Sequence, residues 1–160
     1  MTKENRRNLN ILIIHGPNLN MLGIREPDIY GKETLNSINE KIISHSFEKQ
    51  YNVKLFQSNH EGNIVDFIQN EGLSASGIII NPASLSMSYP LREALVSVNV
   101  PVVEVHMSNI YAREKWHHKS NIVSCCIGQI VGFLENSYIL GIEGLISYIE
   151  KNPCWKKEQV

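Results

Sequence analysis

Cysteine is scarce in this chain: Cys125, Cys126 and Cys154 are odd in number, two are adjacent, and none forms a CxxC pair or a paired Cys/His spacing. That pattern argues against a disulfide framework and a zinc module, and it suits inert or buried thiols in a reducing cytosol. An excess of one charge is lacking too. With 15 Lys and Arg against 16 Asp and Glu the formal net charge is −1, so no basic stripe of the kind that binds nucleic acid or anionic lipid is expected. A small metabolite is the expected ligand. No apolar run approaches the roughly 20 residues that span a bilayer. The charged residues 1–8 precede an apolar run too short for a signal-peptide core, ending in His15-Gly16-Pro17. Internal repeats and low-complexity linkers are also missing. The expectation is a cytoplasmic protein with neither a membrane nor a nucleic-acid partner.

What is present is 160 residues with 42% hydrophobic content, enough for one continuous core. The expected division is an N-terminal tail over 1–8, one domain over 9–150 and a C-terminal tail over 151–160. Short β-branched runs alternate with longer polar-apolar segments, the pattern of βαβ units around a parallel sheet. Strands are expected over 9–14, 53–57, 77–81, 100–105 and 127–133. Helices are expected over 64–70, 91–98, 137–149 and 35–50, the last with Thr34 as N-cap and Leu35, Ile38, Ile42, Ile43 and Phe47 at helical spacing. Five strands with interleaved helices make an α/β, flavodoxin-like three-layer sandwich with a five-stranded parallel sheet.

In such a sheet ligands sit at the carboxyl ends of strands, near the point where strand order reverses. Four chemically rich segments fall there: residues 15–31, Ser58-Asn59-His60-Glu61, Asn81-Pro82-Ala83-Ser84, and Glu104-Val105-His106-Met107-Ser108-Asn109. The first carries Arg25 five positions before Tyr30, in a stretch that reads as a lid over 20–31 with permissive Gly23 and Gly31. A free tyrosine titrates near 10, and a guanidinium beside it can lower that by roughly one to three units. The pair reads as a usable base or as a surface contact. Glu104 and His106 are two apart, hence on one face of a strand, where a carboxylate orients an imidazole and fixes its tautomer. They read as a general acid or as a structural hydrogen bond. His60-Glu61 reads as part of the site or as a helix start, and Asn18 and Asn81 as site amides or loop ties. Arg92 and Arg113 could be solvated charges, and His117-His118 an exposed pair or a metal site without a third ligand.

Several ordered motifs carry a resemblance: Gly16-Pro17-Asn18-Leu19-Asn20, Leu22-Gly23-Ile24-Arg25-Glu26-Pro27-Asp28-Ile29-Tyr30-Gly31, Gln57-Ser58-Asn59-His60-Glu61-Gly62, Ile80-Asn81-Pro82, and residues 104–109 followed by Ala112-Arg113-Glu114. Through them the chain resembles the type II 3-dehydroquinate dehydratases from about residue 9 to 150. The resemblance implies a flavodoxin-like subunit, no metal or organic cofactor, a small-molecule carboxylate substrate, and a homo-oligomer of trimers assembled into a dodecamer. The implied reaction is that of a hydro-lyase of the shikimate pathway, converting 3-dehydroquinate to 3-dehydroshikimate. Carried over by motif, Tyr30 would remove a proton from C2 with Arg25 beside it, and Asn18 would hold the oxygen on which charge develops. His106, oriented by Glu104, would protonate the departing C1 hydroxyl. Asn81, Met107 and Ser108 would receive the substrate carboxylate, with Arg113 and Glu93 also in the substrate-binding set.

The resemblance breaks in two places. After the third strand the family usually reads Asn-Pro-Gly-Ala-(aromatic)-Thr-His-Thr-Ser, whereas here the segment is one residue shorter and Met87 falls where the site histidine belongs. His117 follows Trp116 where the family commonly has Arg. Both positions would read ring hydroxyls in the substrate. Three readings therefore stay open: a dehydratase of 3-dehydroquinate, a relative acting on another carbonyl substrate in specialised metabolism, or a catalytically silent anion-binding or scaffold member. A lysine Schiff-base route finds no motif, and a nucleotide module lacks its glycine spacing.

Overall fold

The strands are β1 (Asn10–His15), β2 (Asn52–Gln57), β3 (Gly77–Asn81), β4 (Val102–His106) and β5 (Gly128–Val131). The principal helices are α1 (Leu35–Lys49), α2 (Glu61–Glu71), α3 (Tyr89–Ser97) and α4 (Asn136–Lys151). All come from a computed structural model that describes residues 7–153 and 155. Cys154 and most of the two expected tails lie outside the described residues, and α4 carries the folded unit one residue past 150.

Alternation along each strand sends neighbouring side chains to opposite faces. Ile11, Ile13, Ile79, Val103 and Val105 pack with Ile38 and Ile42 of α1 and Ile142 and Leu145 of α4. Leu12, Ile14, Ile78, Ile80 and Val102 pack with Ile64 and Ile68 of α2 and Leu91 and Leu95 of α3. The sheet is thus covered on both sides, which is why its strands read as nearly continuous apolar runs. Each fully buried aliphatic side chain contributes about 1.5–3 kcal/mol relative to an exposed one. Helix starts are tied locally: Thr34 accepts from Ser37 N at 3.1 Å, and Ser88 accepts from Leu91 N at 2.9 Å.

All five strands are parallel, in the order β2-β1-β3-β4-β5. From β1 the chain crosses one way to β2 and then back past β1 to β3, so the loops that leave β1 and β3 diverge at the reversal point. There Gly16 N donates to Asn81 O at 2.8 Å. A Cβ on Gly16 would meet Pro82 O at 2.4 Å, so only glycine permits this approach.

The observed bounds differ from expectation mainly where a polar residue hides an element's end. β1 runs one residue further, to His15, which is fully buried. α2 starts at Glu61, one turn ahead of its first buried apolar residue, Ile64. β4 begins only after Pro101, whose missing N–H cannot join the ladder. β5 is shorter than expected because Gly132, Phe133 and Leu134 all take positive φ, at 82°, 66° and 51°, and turn the chain out of the sheet. No helix among the described residues is long and apolar enough to cross a membrane.

Candidate active site

A cavity of about 210 Å³ opens at the carboxyl ends of β1, β3 and β4. Ten of the twelve sequence-expected site residues line it: Asn18, Arg25, Tyr30, Asn81, Met87, His106, Met107, Ser108, Arg113 and His117. Glu104 stands behind His106, fully buried. Glu93 is the exception. Its side chain is 70% exposed and pairs with Arg92 Nη1 at 2.7 Å, away from the cavity, because its position on α3 faces solvent.

The loop after β1 is shaped by Asn18, which takes a left-handed conformation at φ 65° that asparagine tolerates better than most residues. Its N–H donates to Asn59 Oδ1 at 2.8 Å. Gln57 Nε2 donates to the same oxygen at 3.1 Å and to Gly16 O at 3.3 Å. The segment after β2 therefore braces the Asn18 loop, and His60-Glu61 opens α2. Glu61 Oε1 accepts from Ser88 Oγ at 2.5 Å. Sequence reading missed the bracing role of Asn59, since a contact across 41 positions leaves no local signal.

Tyr30 sits on a helical turn, Pro27–Tyr30, between Gly23 and Gly31, both at positive φ. Its hydroxyl accepts from Arg113 Nη1 at 2.7 Å. Arg25 was the expected partner, but its guanidinium carbon lies 5.9 Å from the Tyr30 ring centre and its Nε pairs with Glu26 at 2.9 Å. Arg113, expected only to bind substrate, is thus the cation on the phenol oxygen. His118 Nε2 anchors its segment by donating to Arg113 O at 3.0 Å.

On β4, Glu104 Oε1 accepts from His106 Nε2 at 2.6 Å. The other carboxylate oxygen accepts from Ser120 Oγ at 2.9 Å. The carboxylate is held at both oxygens, which fixes the imidazole in plane and leaves Nδ1 free of that pair. Ser137 Oγ donates to His106 O at 3.1 Å and secures the strand end. Ser120 carried no sequence signal.

The two departures from the family pattern both face the cavity. Met87 is 44% exposed there. The His117 ring stacks on Trp116 with centres 3.5 Å apart, and its buried Nε2 has no hydrogen-bond partner. Burial first, and then the charge of Arg113, lower its pKa, so the 3.5 Å approach to Glu114 Oε2 is not an ion pair at neutral pH. Among the described residues no three His, Cys, Asp or Glu side chains converge as a metal site.

Comparison with known proteins gives the family of the chain. The sequence profile described as "Dehydroquinase class II" matches residues 9–146. The chain belongs to the class II dehydroquinase family. It is 47% identical over 142 residues to a 3-dehydroquinate dehydratase of Halothermothrix orenii, covering 88% of this chain and 96% of that one. It is 50% identical over 138 residues to a 3-dehydroquinate dehydratase of Endomicrobium trichonymphae, covering 86% and 96%. The crystal structure of the type II dehydroquinase from Butyrivibrio crossotus superposes with a TM-score of 0.85 at 43% identity, covering 87% of this chain and 98% of that one. The five-stranded parallel α/β fold seen here therefore matches that of a type II dehydroquinase structure, as the sequence does.

Proposed function

We propose that the protein dehydrates 3-dehydroquinate to 3-dehydroshikimate, by way of an enolate, with Tyr30 as base and His106 as acid. The observation that carries this reading is that a phenol held by a guanidinium and an imidazole held by a carboxylate line the same cavity. The substrate is a β-hydroxy ketone, and losing water from it needs a proton taken beside the carbonyl and a proton given to the leaving oxygen. Two separately held groups suit two separate transfers.

Tyr30, as the phenolate balanced by the Arg113 guanidinium on its oxygen, takes the C2 proton and becomes the neutral phenol. The electron pair shifts onto the ketone oxygen, where the Asn18 amide stabilises the developing charge. The C1–O bond then breaks as His106 delivers its proton and water departs. Glu104, braced by Ser120, keeps the imidazole aligned through both steps. Asn81, Ser108 and the backbone at Met107 receive the substrate carboxylate at the end of the strands. The trimer-based dodecamer and the shikimate-pathway role belong to the same proposal, supported by the family membership.

Tyr30→Phe tests the assignment of the base. A positioned acid-base group contributes about 10²–10⁴ in rate, so kcat should fall by about 100-fold or more while KM stays within about fivefold. Turnover near that of the unaltered protein would remove the phenol from the mechanism.

A further inference from the structure

Past the end of β5 the chain takes a left-handed turn over 132–134, with φ 82° at Gly132, 66° at Phe133 and 51° at Leu134. Glycine accepts such backbone freely, but a side chain there crowds its own carbonyl, so Phe133 and Leu134 are strained. Side-chain burial does not offset that strain, because Phe133 is 68% and Leu134 41% exposed. Strained backbone of this kind persists only where the surroundings over-determine it, and it clusters at functional sites. What holds this turn is a set of backbone hydrogen bonds to the strand end that follows His106.

Gly132 N–H donates to His106 O and to Ser108 O, both at 3.1 Å, and Leu134 N–H donates to Met107 O at 3.0 Å. Three successive carbonyls thus face one turn, whereas in a regular strand they would alternate in direction. A trans peptide carries its N–H opposite its C=O, and no cis bond occurs among the described residues. The N–H groups of Met107 and Ser108 are therefore both turned away from 132–134, and both residues line the cavity. Among the described residues neither N–H meets an acceptor. Successive N–H groups aimed one way make a concavity for an anion. Arg113 Nη1, 3.5 Å from Ser108 Oγ, places a positive charge beside them.

We propose that the turn 132–134 is the positioning element of the carboxylate site: its N–H groups draw back the 106–108 carbonyls, so that the Met107 and Ser108 amides face a single carboxylate. This rests on the dehydratase reading of the cavity only for the identity of the substrate that brings the carboxylate. The backbone conformation at Leu134, and not the contacts of its side chain, holds the Met107 carbonyl. The effect belongs to binding rather than to proton transfer.

The experiment is a series at Leu134 graded by tolerance of positive φ. It is read as KM and kcat on 3-dehydroquinate, and as calorimetric affinity for quinate, a ring carboxylate without the ketone, and for the carboxamide of quinate. Leu134→Gly and Leu134→Asn accept the left-handed backbone and should keep KM and quinate affinity within about twofold. Leu134→Val keeps an apolar side chain, but its β-branching opposes positive φ. It should raise KM and weaken quinate binding about tenfold, roughly the worth of one misdirected hydrogen bond to a charged group. In the same variant kcat and carboxamide affinity should stay within about threefold. A packing role for the Leu134 side chain gives the reverse order, with Val tolerated and Gly and Asn impaired. That order, a Val variant equal to the unaltered protein, or equal weakening of carboxylate and carboxamide would overturn the proposal. If Leu134→Val does not fold, the comparison is made at Phe133 with Val against Asn, with the same expected and overturning results. No turnover of 3-dehydroquinate, with the quinate series as expected, would sink the function reading alone. Turnover with quinate affinity indifferent to the series would sink the positioning role alone, and neither turnover nor quinate binding in the unaltered protein would remove both.

Discussion

Mild acid should weaken the fold through His15 specifically. The folded imidazole has its pKa lowered from 6.5 to about 4, with burial as the main cause and the Asn39 hydrogen bond opposing it. Above about 6.5 neither the folded nor the unfolded histidine takes a proton, and stability is undiminished. As pH falls from there towards 4, the unfolded chain gains a proton that the buried ring refuses, so unfolding becomes easier. At about pH 5 the unfolded form is favoured about 30-fold by this single group, or about 2 kcal/mol. Urea unfolding followed by far-ultraviolet circular dichroism at fixed protein concentration, near pH 7.5 and near pH 5, measures the loss. Carboxylates and the other histidines also titrate, so the informative quantity is the difference from His15→Asn, which removes one titrating group and keeps a polar side chain. The unaltered protein should lose about 2 kcal/mol more than the variant between the two conditions. Equal losses would refute the claim that His15 is buried neutral in the folded chain.

Arg113→Ala should lower kcat on 3-dehydroquinate by about tenfold or more, since a hydrogen bond to a charged group is worth roughly 1.5–3 kcal/mol; unchanged kcat would show that the 2.7 Å contact with Tyr30 is idle in turnover. Residues 20–31 supply Leu22, Arg25 and Tyr30 to the cavity wall. A competitive inhibitor carrying a ring carboxylate should therefore slow proteolytic cleavage of this segment, and cleavage at the same rate with and without it would count against lid closure.

Much of the fold was legible because burial on both faces leaves a strong imprint: the Ile78-Ile79-Ile80 run predicts β3 with both its bounds, and Thr34 predicts the start of α1. His15 escaped this reading because a histidine at a strand end resembles the beginning of a loop, and its burial depends on Tyr138, which is 123 positions away. The Glu104-His106 pair was readable from strand periodicity alone. The partner of Tyr30 was not. Arg25 is close in sequence, but the helical turn of Pro27–Tyr30 swings the phenol toward Arg113, which is 83 positions away. Glu93 differs for the opposite reason: the motif places it after Arg92, and within this chain its turn of α3 faces solvent rather than the cavity. Motif position fixes an address in the chain, and only packing decides which way the side chain looks.

The central claim is tested most directly by mixing purified protein with 3-dehydroquinate and following ultraviolet absorbance from the conjugated enone of the product. The account predicts a steady rise, dependent on protein concentration, proceeding without added metal or organic cofactor and nearly abolished in Tyr30→Phe. Absorbance that rises no faster than in buffer, from protein whose circular dichroism shows it folded, would contradict it.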